Sequence, residues 1–249
     1  MYDRHLRFVS VSNFRDIGGY KTRRGRAVAW RRVFRSGEFA RISQEDYQRL
    51  MEEIMPASVL DLRSKEEVER QGIGLLAGAD LKYHNVCFIA DGGDREANER
   101  RYRTFTNMGQ FYLDLVGYRE YGQRIVEALE IIADTRNHPL VFNCAVGKDR
   151  TGMLAACLLD LLDVDDKDII EDYCLSEPYM DIILETVKND PKLAEGVKSL
   201  PEYFWKASPR SMKLFLDTLR KEYGSVEGYL QSVGGDSTLA ERLRKALLV

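Results

Sequence analysis

The 249-residue chain is 44% hydrophobic, enough apolar surface for the core of one large α/β domain or of a domain with a small appended unit. Its formal net charge of −3 sets up no global field for nucleic acid, and no apolar run approaches the ~20 residues that cross a bilayer.

The start, M-Y-D-R-H-L-R-F-V-S, holds no apolar leader segment and predicts a cytoplasmic protein. Residues 8–30 read as strand-like pieces separated by Gly18-Gly19 and Gly25. Basic residues crowd there, and they serve either to steer phosphorylated or acidic substrates or simply to solvate a hairpin; the second suits Arg23, Arg24 and Arg26 better. Arg35 ends the apolar pair of F-R-S-G, so its side chain is held in place, in an ion pair or on substrate. Ser43 and Asp46 open a helix whose Tyr47, Leu50, Met51 and Ile54 face the core, and Pro56 closes it. A strand over 57–62 follows, then a Ser64–Glu67 capping box and a short charged helix ending at Gly72. Asp61 and Arg63 therefore stand at the C-terminal edge of a strand, where open α/β sheets bind ligands. Residues 83–89 form the next strand, and the polar loop A-D-G-G-D-R-E over 90–96 leaves it. The span 95–121 reads as a surface helix, with Phe105, Phe111 and Tyr112 as packing groups or as a lid, and Ile125, Leu129 and Ile132 mark a helix packed on the sheet.

Residues 138–163 organise the rest. Leu140, Val141 and Phe142 suit a buried strand, 151–162 a buried helix, and the tight loop between them is N-C-A-V-G-K-D-R-T-G. Backbone amides of Ala145, Val146, Gly147 and Lys148, with Thr151 and Gly152 at the helix start, can surround one anion, and the helix dipole points at the same spot. A thiol at Cys144 then has what a thiolate needs, since helix N-termini and nearby cations lower thiol pKa values from ~8.5 to ~3.5–7.5. Arg150 supplies a planar fork for two phosphate oxygens, which Lys148 alone does not. A C-x5-R loop of this kind fits in-line attack by sulfur on a phosphate monoester. Cys87 and Cys157 lie in apolar runs and read as core, no cysteine pair has C-x-x-C spacing, and no metal site or disulfide is suggested. Beyond Asp163 the chain is nearly all helical: one amphipathic stretch over 168–188, another capped by Ser208-Pro209 and stopping at Gly224, and a last one opened by Ser237. Phe204 and Trp205 lie in the irregular piece 192–206, and an aromatic stripe there reads as core.

The form C-A-V-G-K-D-R-T-G resembles the phosphate loop of tyrosine phosphatases, in the version carried by an atypical bacterial subgroup of dual or triple specificity. N-F-R-D-I-G-G-Y at 13–20, F-R-S-G-E at 34–38, D-L-R-S at 61–64 and E-Y-G-S-V-E-G-Y-L at 222–230 extend the likeness over nearly the whole chain. The resemblance implies an α/β fold with a central, mostly parallel sheet flanked by helices and a helical C-terminal extension. Residues 1–249 would form a single phosphatase domain, with 1–165 as the α/β core and 166–249 packed on it. It implies a cofactor-free and metal-free phosphatase whose partners are phosphorylated proteins or phosphoinositides, the latter linked to the added charge of Lys148, with Asp61, Arg63 and Arg35 bracing the site. The general acid is Asp149, from the loop pattern, or Asp91 in the 90–96 loop, with Asp94 behind it; Asp149 is placed ahead because like charge on bound phosphate would favour its protonated form. One departure is specific to this chain: the family's His before the cysteine is Asn143, whose amide is expected to hydrogen-bond backbone around the loop. Two other readings stand beside the enzyme: a catalytically weak phosphate- or phosphoinositide-binding module, and a phosphatase of small inositol or sugar phosphates.

Overall fold

The computed structural model describes residues 3–88, 100–188 and 200–249. Its sheet is built from short segments, buried throughout except for the outer strand β4: β1 (Arg15–Asp16), β2 (Val33–Ser36), β3 (Ser58–Asp61), β4 (Lys82–Asn85) and β5 (Leu140–Asn143). The strand order is β1-β2-β5-β3-β4, with β1 antiparallel to β2 and every other pair parallel. This is the mostly parallel α/β sheet expected. The sequence of β5 reads as a continuous apolar run because both of its faces are covered. Leu140 and Phe142 join Val33 and Leu60 in the larger apolar cluster, while Val141 joins Phe34 and Val59 in the smaller one on the other side.

The smaller cluster is capped by α1 (Gln44–Arg49), the π-helical turn Leu50–Ile54 and a 3-10 turn at Gly74–Gly78, which contribute Leu50, Ile54 and Leu76. The larger is covered by α3 (Met108–Val116), α4 (Arg119–Ala133) and α5 (Asp149–Leu161) and by most of the C-terminal helices; α2 (Lys65–Gln71) lies in the connection from β3 to β4. The C-terminal helices are α6 (Asp166–Cys174), α7 (Glu177–Lys188), α8 (Pro209–Tyr223), α9 (Val226–Ser232) and α10 (Leu239–Leu247). Beyond α10, Val249 and Ala27 exchange backbone hydrogen bonds of 2.9 and 3.0 Å, so the chain's end is stitched to its first hairpin.

Three expectations need correction. The stretch 168–188 is two helices, because Pro178 has no N–H to give to the carbonyl four residues back and its ring crowds that carbonyl; it fits only in the first turn of a new helix. The described residues 100–121 do not form one surface helix: Asn107 caps α3 through a side-chain bond from the Gln110 amide, and Met108, Phe111 and Tyr112 are buried. Among the described residues of the strand expected over 83–89, the ladder runs from Lys82 to Asn85, and beyond it the Val86 and Phe88 amides still reach the Asp61 and Leu62 carbonyls at 2.9 and 3.3 Å. Among the described residues no helix is long and apolar enough to cross a membrane.

Candidate active site

Strand β5 ends at Asn143, α5 begins at Asp149, and the loop between them carries Cys144, 1% exposed. The loop turns through Gly147, whose φ of +70° is left-handed and whose added Cβ would lie 2.6 Å from the Ser36 carbonyl. Its carbonyls are pulled outward. The Glu38 amide donates to the Ala145 oxygen at 3.2 Å. Asn13 Nδ2 donates to the Val146 and Gly147 oxygens at 3.1 and 2.9 Å, and Arg35 Nη2 donates to the Gly147 oxygen at 2.8 Å. A trans peptide holds its N–H opposite its C=O. With these three carbonyls turned to the scaffold, the amides of Val146, Gly147 and Lys148 turn the other way, which is the arrangement an anion site needs.

The scaffold is a buried charge cluster. Asp172 of α6 accepts from Arg15 Nε at 3.0 Å and from Tyr20 Oη at 3.2 Å, and its other oxygen accepts from Arg35 Nη1. Arg15 also donates to the Asp172 carbonyl at 2.7 Å and to Asn13 Oδ1, and Ser176 Oγ takes a third bond from Asn13 at 3.2 Å. Both arginines are fully buried. Burial opposes ionisation of Asp172, yet Arg15 and Arg35 hold its carboxyl well below the usual range; burial and then repulsion from Arg15 bring Arg35 down to about 10. Two cations against one anion leave this cluster positive beneath the loop, and Cys144 is among the groups that Arg35 senses.

Arg150 is held end-on. Its Nη1 and Nη2 meet the two oxygens of Glu67 at 2.5 and 3.0 Å, while Glu67 closes the α2 capping box by accepting from the Ser64 amide at 2.8 Å. This pairing uses the outer edge of the guanidinium and leaves Nε and its neighbouring N–H, the side edge, for two oxygens of an anion. Burial opposes the charge on Arg150, but Cys144 and Glu67 raise its pKa further. Above Arg150 opens a cleft of about 550 Å³. Ser64, Glu66, Glu67 and Arg70 form its polar wall; Tyr102, Phe111, Met153 and Phe204 line its apolar side, and Asp149 and Arg150 are at the base.

A model of the tyrosine phosphatase family matches residues 6–249. The chain belongs to that family. It is 26% identical over 197 residues to a tyrosine-protein phosphatase of Nostoc commune, a match covering 76% of this chain and 65% of that one. To a putative tyrosine-protein phosphatase of Cupriavidus necator it is 33% identical over 174 residues, 68% of this chain and 61% of the relative. The match thus spans just under two thirds of the length of both relatives. With the triple specificity protein phosphatase PtpB of Mycobacterium tuberculosis the likeness is end to end: 26% over 274 residues, 95% of this chain and 96% of the other.

Within this family member the expected site residues fall into groups. Cys144, Asp149 and Arg150 share the loop and its helix start, with Ala145, Val146, Gly147, Thr151 and Gly152 around them. Gly152 packs closely, since a Cβ there would lie 3.0 Å from the Tyr173 ring, which would have to give by a few tenths of an ångström. Lys148 sits in the loop with its side chain turned to the 204–206 segment. Its ammonium is buried, donates to the Phe204 carbonyl and, at 3.2 Å, to that of Lys206, and lies 3.5 Å from Asp149 Oδ1. Asp61 and Arg63 form a buried pair: Arg63 Nη2 meets Asp61 Oδ2 at 2.7 Å and donates to the Gly72 carbonyl at 3.0 Å, and Tyr83 Oη donates to Asp61 at 2.8 Å. Asn143 departs from expectation, because neither amide atom of its buried side chain finds a partner among the described residues; Thr151 Oγ1 is likewise orphaned. Asp91 and Asp94 lie outside the described residues.

Asp172, Glu67, Asn13, Arg15 and the Tyr112–Tyr173 pair are site residues that sequence reasoning did not single out. Asp172 had a signal: Ile169, Asp172, Tyr173 and Ser176 repeat at helical spacing and are all buried, so one carboxylate sits on an inward face. A charge in that position demands a buried partner.

Proposed function

We propose that this chain is a cysteine-dependent phosphatase that hydrolyses phosphotyrosine through a cysteinyl-phosphate, using Asp149 as general acid. One observation carries the reading: the loop around Cys144 has three carbonyls tied outward while Arg150 is fixed end-on by Glu67, which supports a single anion site built from the inward amides and the free guanidinium edge. Phosphate bound there neutralises the inward amides and Arg150. Cys144 Sγ attacks phosphorus as the bond to the leaving oxygen breaks, and the Asp149 proton moves to that oxygen. The phenol departs and phosphocysteine remains. Water then attacks phosphorus, gives its proton to Asp149, and the S–P bond breaks to release phosphate and the thiolate.

Asp149 is supported as the acid because it lines the cleft beside Arg150. The aromatic side of that cleft supports an aryl phosphate as the preferred substrate. Phosphoserine, phosphothreonine and phosphoinositides are the wider part of the proposal, supported by the end-to-end likeness to a relative named for triple specificity. Hydrolysis of phosphotyrosine, phosphoserine and phosphoinositide substrates by wild type and Cys144→Ser tests it. The expected result is phosphotyrosine turnover that disappears in the variant; equal turnover by both proteins would remove Cys144 from the reaction.

The orphaned amide of Asn143 favours one competing reading, a phosphate-binding module with weak chemistry. That reading expects phosphate binding without turnover, and iodoacetate alkylation of Cys144 at neutral pH no faster than that of free cysteine.

A further inference from the structure

Asp149 is wired into the interior. Its Oδ1 accepts from Tyr112 Oη at 2.6 Å, and Tyr112 Oη lies 2.8 Å from Tyr173 Oη. Each phenol has one proton to give. With that of Tyr112 spent on the carboxyl, its lone pair takes the proton of Tyr173, and the chain runs from Tyr173 to Tyr112 to Asp149. Both phenols are buried, and burial and then the Asp149 charge push both well above the usual phenol range, so they stay donors over the working pH range.

We propose that Tyr112 is a positioning residue: by donating to Asp149 Oδ1 it assigns the catalytic proton to Oδ2, the oxygen left for the cleft, with Tyr173 as the second link. The proposal rests on Asp149 being the general acid. An oxygen that accepts a phenol proton at 2.6 Å has no room for a proton of its own along the same line, so a neutral carboxyl carries its hydrogen on Oδ2. The same bond favours the carboxylate formed once that hydrogen has left. The other groups facing Asp149 are Lys148 at 3.5 Å from Oδ1, Arg150 with its partner Glu67, and Tyr102 across the cleft. Lys148 and Arg150 act through charge, Lys148 from 3.5 Å off Oδ1; among the described residues Tyr112 is the group that singles out Oδ1 by a short bond. Edge-on packing of Tyr112 against Tyr173 and Phe215, with ring centres 6.2 and 6.0 Å apart, is kept by phenylalanine.

The test compares wild type, Tyr112→Phe, Tyr173→Phe and Asp149→Asn on phosphotyrosine and on 2,4-dinitrophenyl phosphate, whose leaving group departs without a proton. Asp149→Asn is expected to lose ~10²-fold or more in kcat on phosphotyrosine and little on the dinitrophenyl ester. Tyr112→Phe is expected to lose about tenfold on phosphotyrosine only, the size of one hydrogen bond to a charged group, and to displace the basic limb of its kcat profile to higher pH. Tyr173→Phe moves the limb the same way by less, and carries the test alone if Tyr112→Phe does not fold. Equal losses of Asp149→Asn on both esters would overturn the acid assignment and the proposal with it. Selective loss in Asp149→Asn, combined with unselective loss or an unmoved limb in the tyrosine variants, would overturn the role of Tyr112 and leave Asp149 as the acid.

Discussion

At Glu67 a helix cap and an active-site contact are the same carboxylate. Its capping function is legible from the S-x-x-E spacing, but its hold on Arg150 is not, because 83 residues separate them and only the fold brings α2 beside α5. Glu67→Gln keeps a side chain able to cap while removing the charge that fixes the guanidinium. The expected loss is about 100-fold in kcat/KM on phosphotyrosine, the scale of a misplaced catalytic group, with the helix content unchanged by circular dichroism. Asp172 has a different signature. Its carboxyl titrates below the unfolded value of ~3.9 because Arg15 and Arg35 outweigh burial, so its contribution to stability is complete above that pH and is lost as pH falls through the folded value. Asp172→Asn strands two buried guanidiniums and should cost ~3–5 kcal/mol at neutral pH. Denaturant titrations across pH check it: the gap to wild type should be constant near neutrality and narrow below about pH 4. At Asn143 the buried amide without a partner predicts the opposite sign. Asn143→Leu, similar in shape, should raise stability by ~1–3 kcal/mol in the same titrations.

The strand-loop-helix from β5 to α5 was readable because its signals are local: an apolar run, a glycine at the turn, a cysteine and an arginine seven positions inclusive, and a long apolar helix. The Gly147 φ and its contact with Ser36 show what that glycine is for. Gly147→Ala should destabilise by at least ~1–2 kcal/mol from the left-handed backbone alone, with the Ser36 clash added, and should abolish turnover. What could not be read locally was which partners hold the loop open. Asn13 and Arg35 donate across 134 and 112 residues, and no spacing rule connects them to Gly147. Sequence reasoning also merged helices where breaks depend on one residue. Pro178 was such a signal and restarts the chain as α7, placing Ser176 at the corner where Asn13 reaches it. For Lys148, charge suggested a phosphate contact; its length instead lets it reach the carbonyls of the 204–206 segment, which a loop-only reading does not contain.

On the scale of the whole molecule, the helical character beyond Asp163 was legible in periodicity and punctuation, the mostly parallel sheet was expected from the family resemblance, and the strand order β1-β2-β5-β3-β4 came only with the structure. The division into a core and an appended helical part is less informative than the contacts across it. Residues of α6 and α8–α10 belong to the same apolar cluster as β5 and α5, and the chain's end bonds to Ala27. Removing residues 166–249 would therefore expose Met153, Leu158 and Phe142's neighbours and strip Asp172 from Arg15 and Arg35; the expected product is insoluble, as checked by expression and size exclusion. The outward-tied carbonyls carry one more consequence, for transplantation. Grafting C-A-V-G-K-D-R-T-G with its own strand and helix onto another parallel sheet would move the nucleophile but not the struts that keep its peptides facing the guest anion. A recipient would also need surrogates for Asn13, Arg35 and an acidic group on a neighbouring helix, so the transferable unit is a discontinuous shell drawn from three distant parts of the chain.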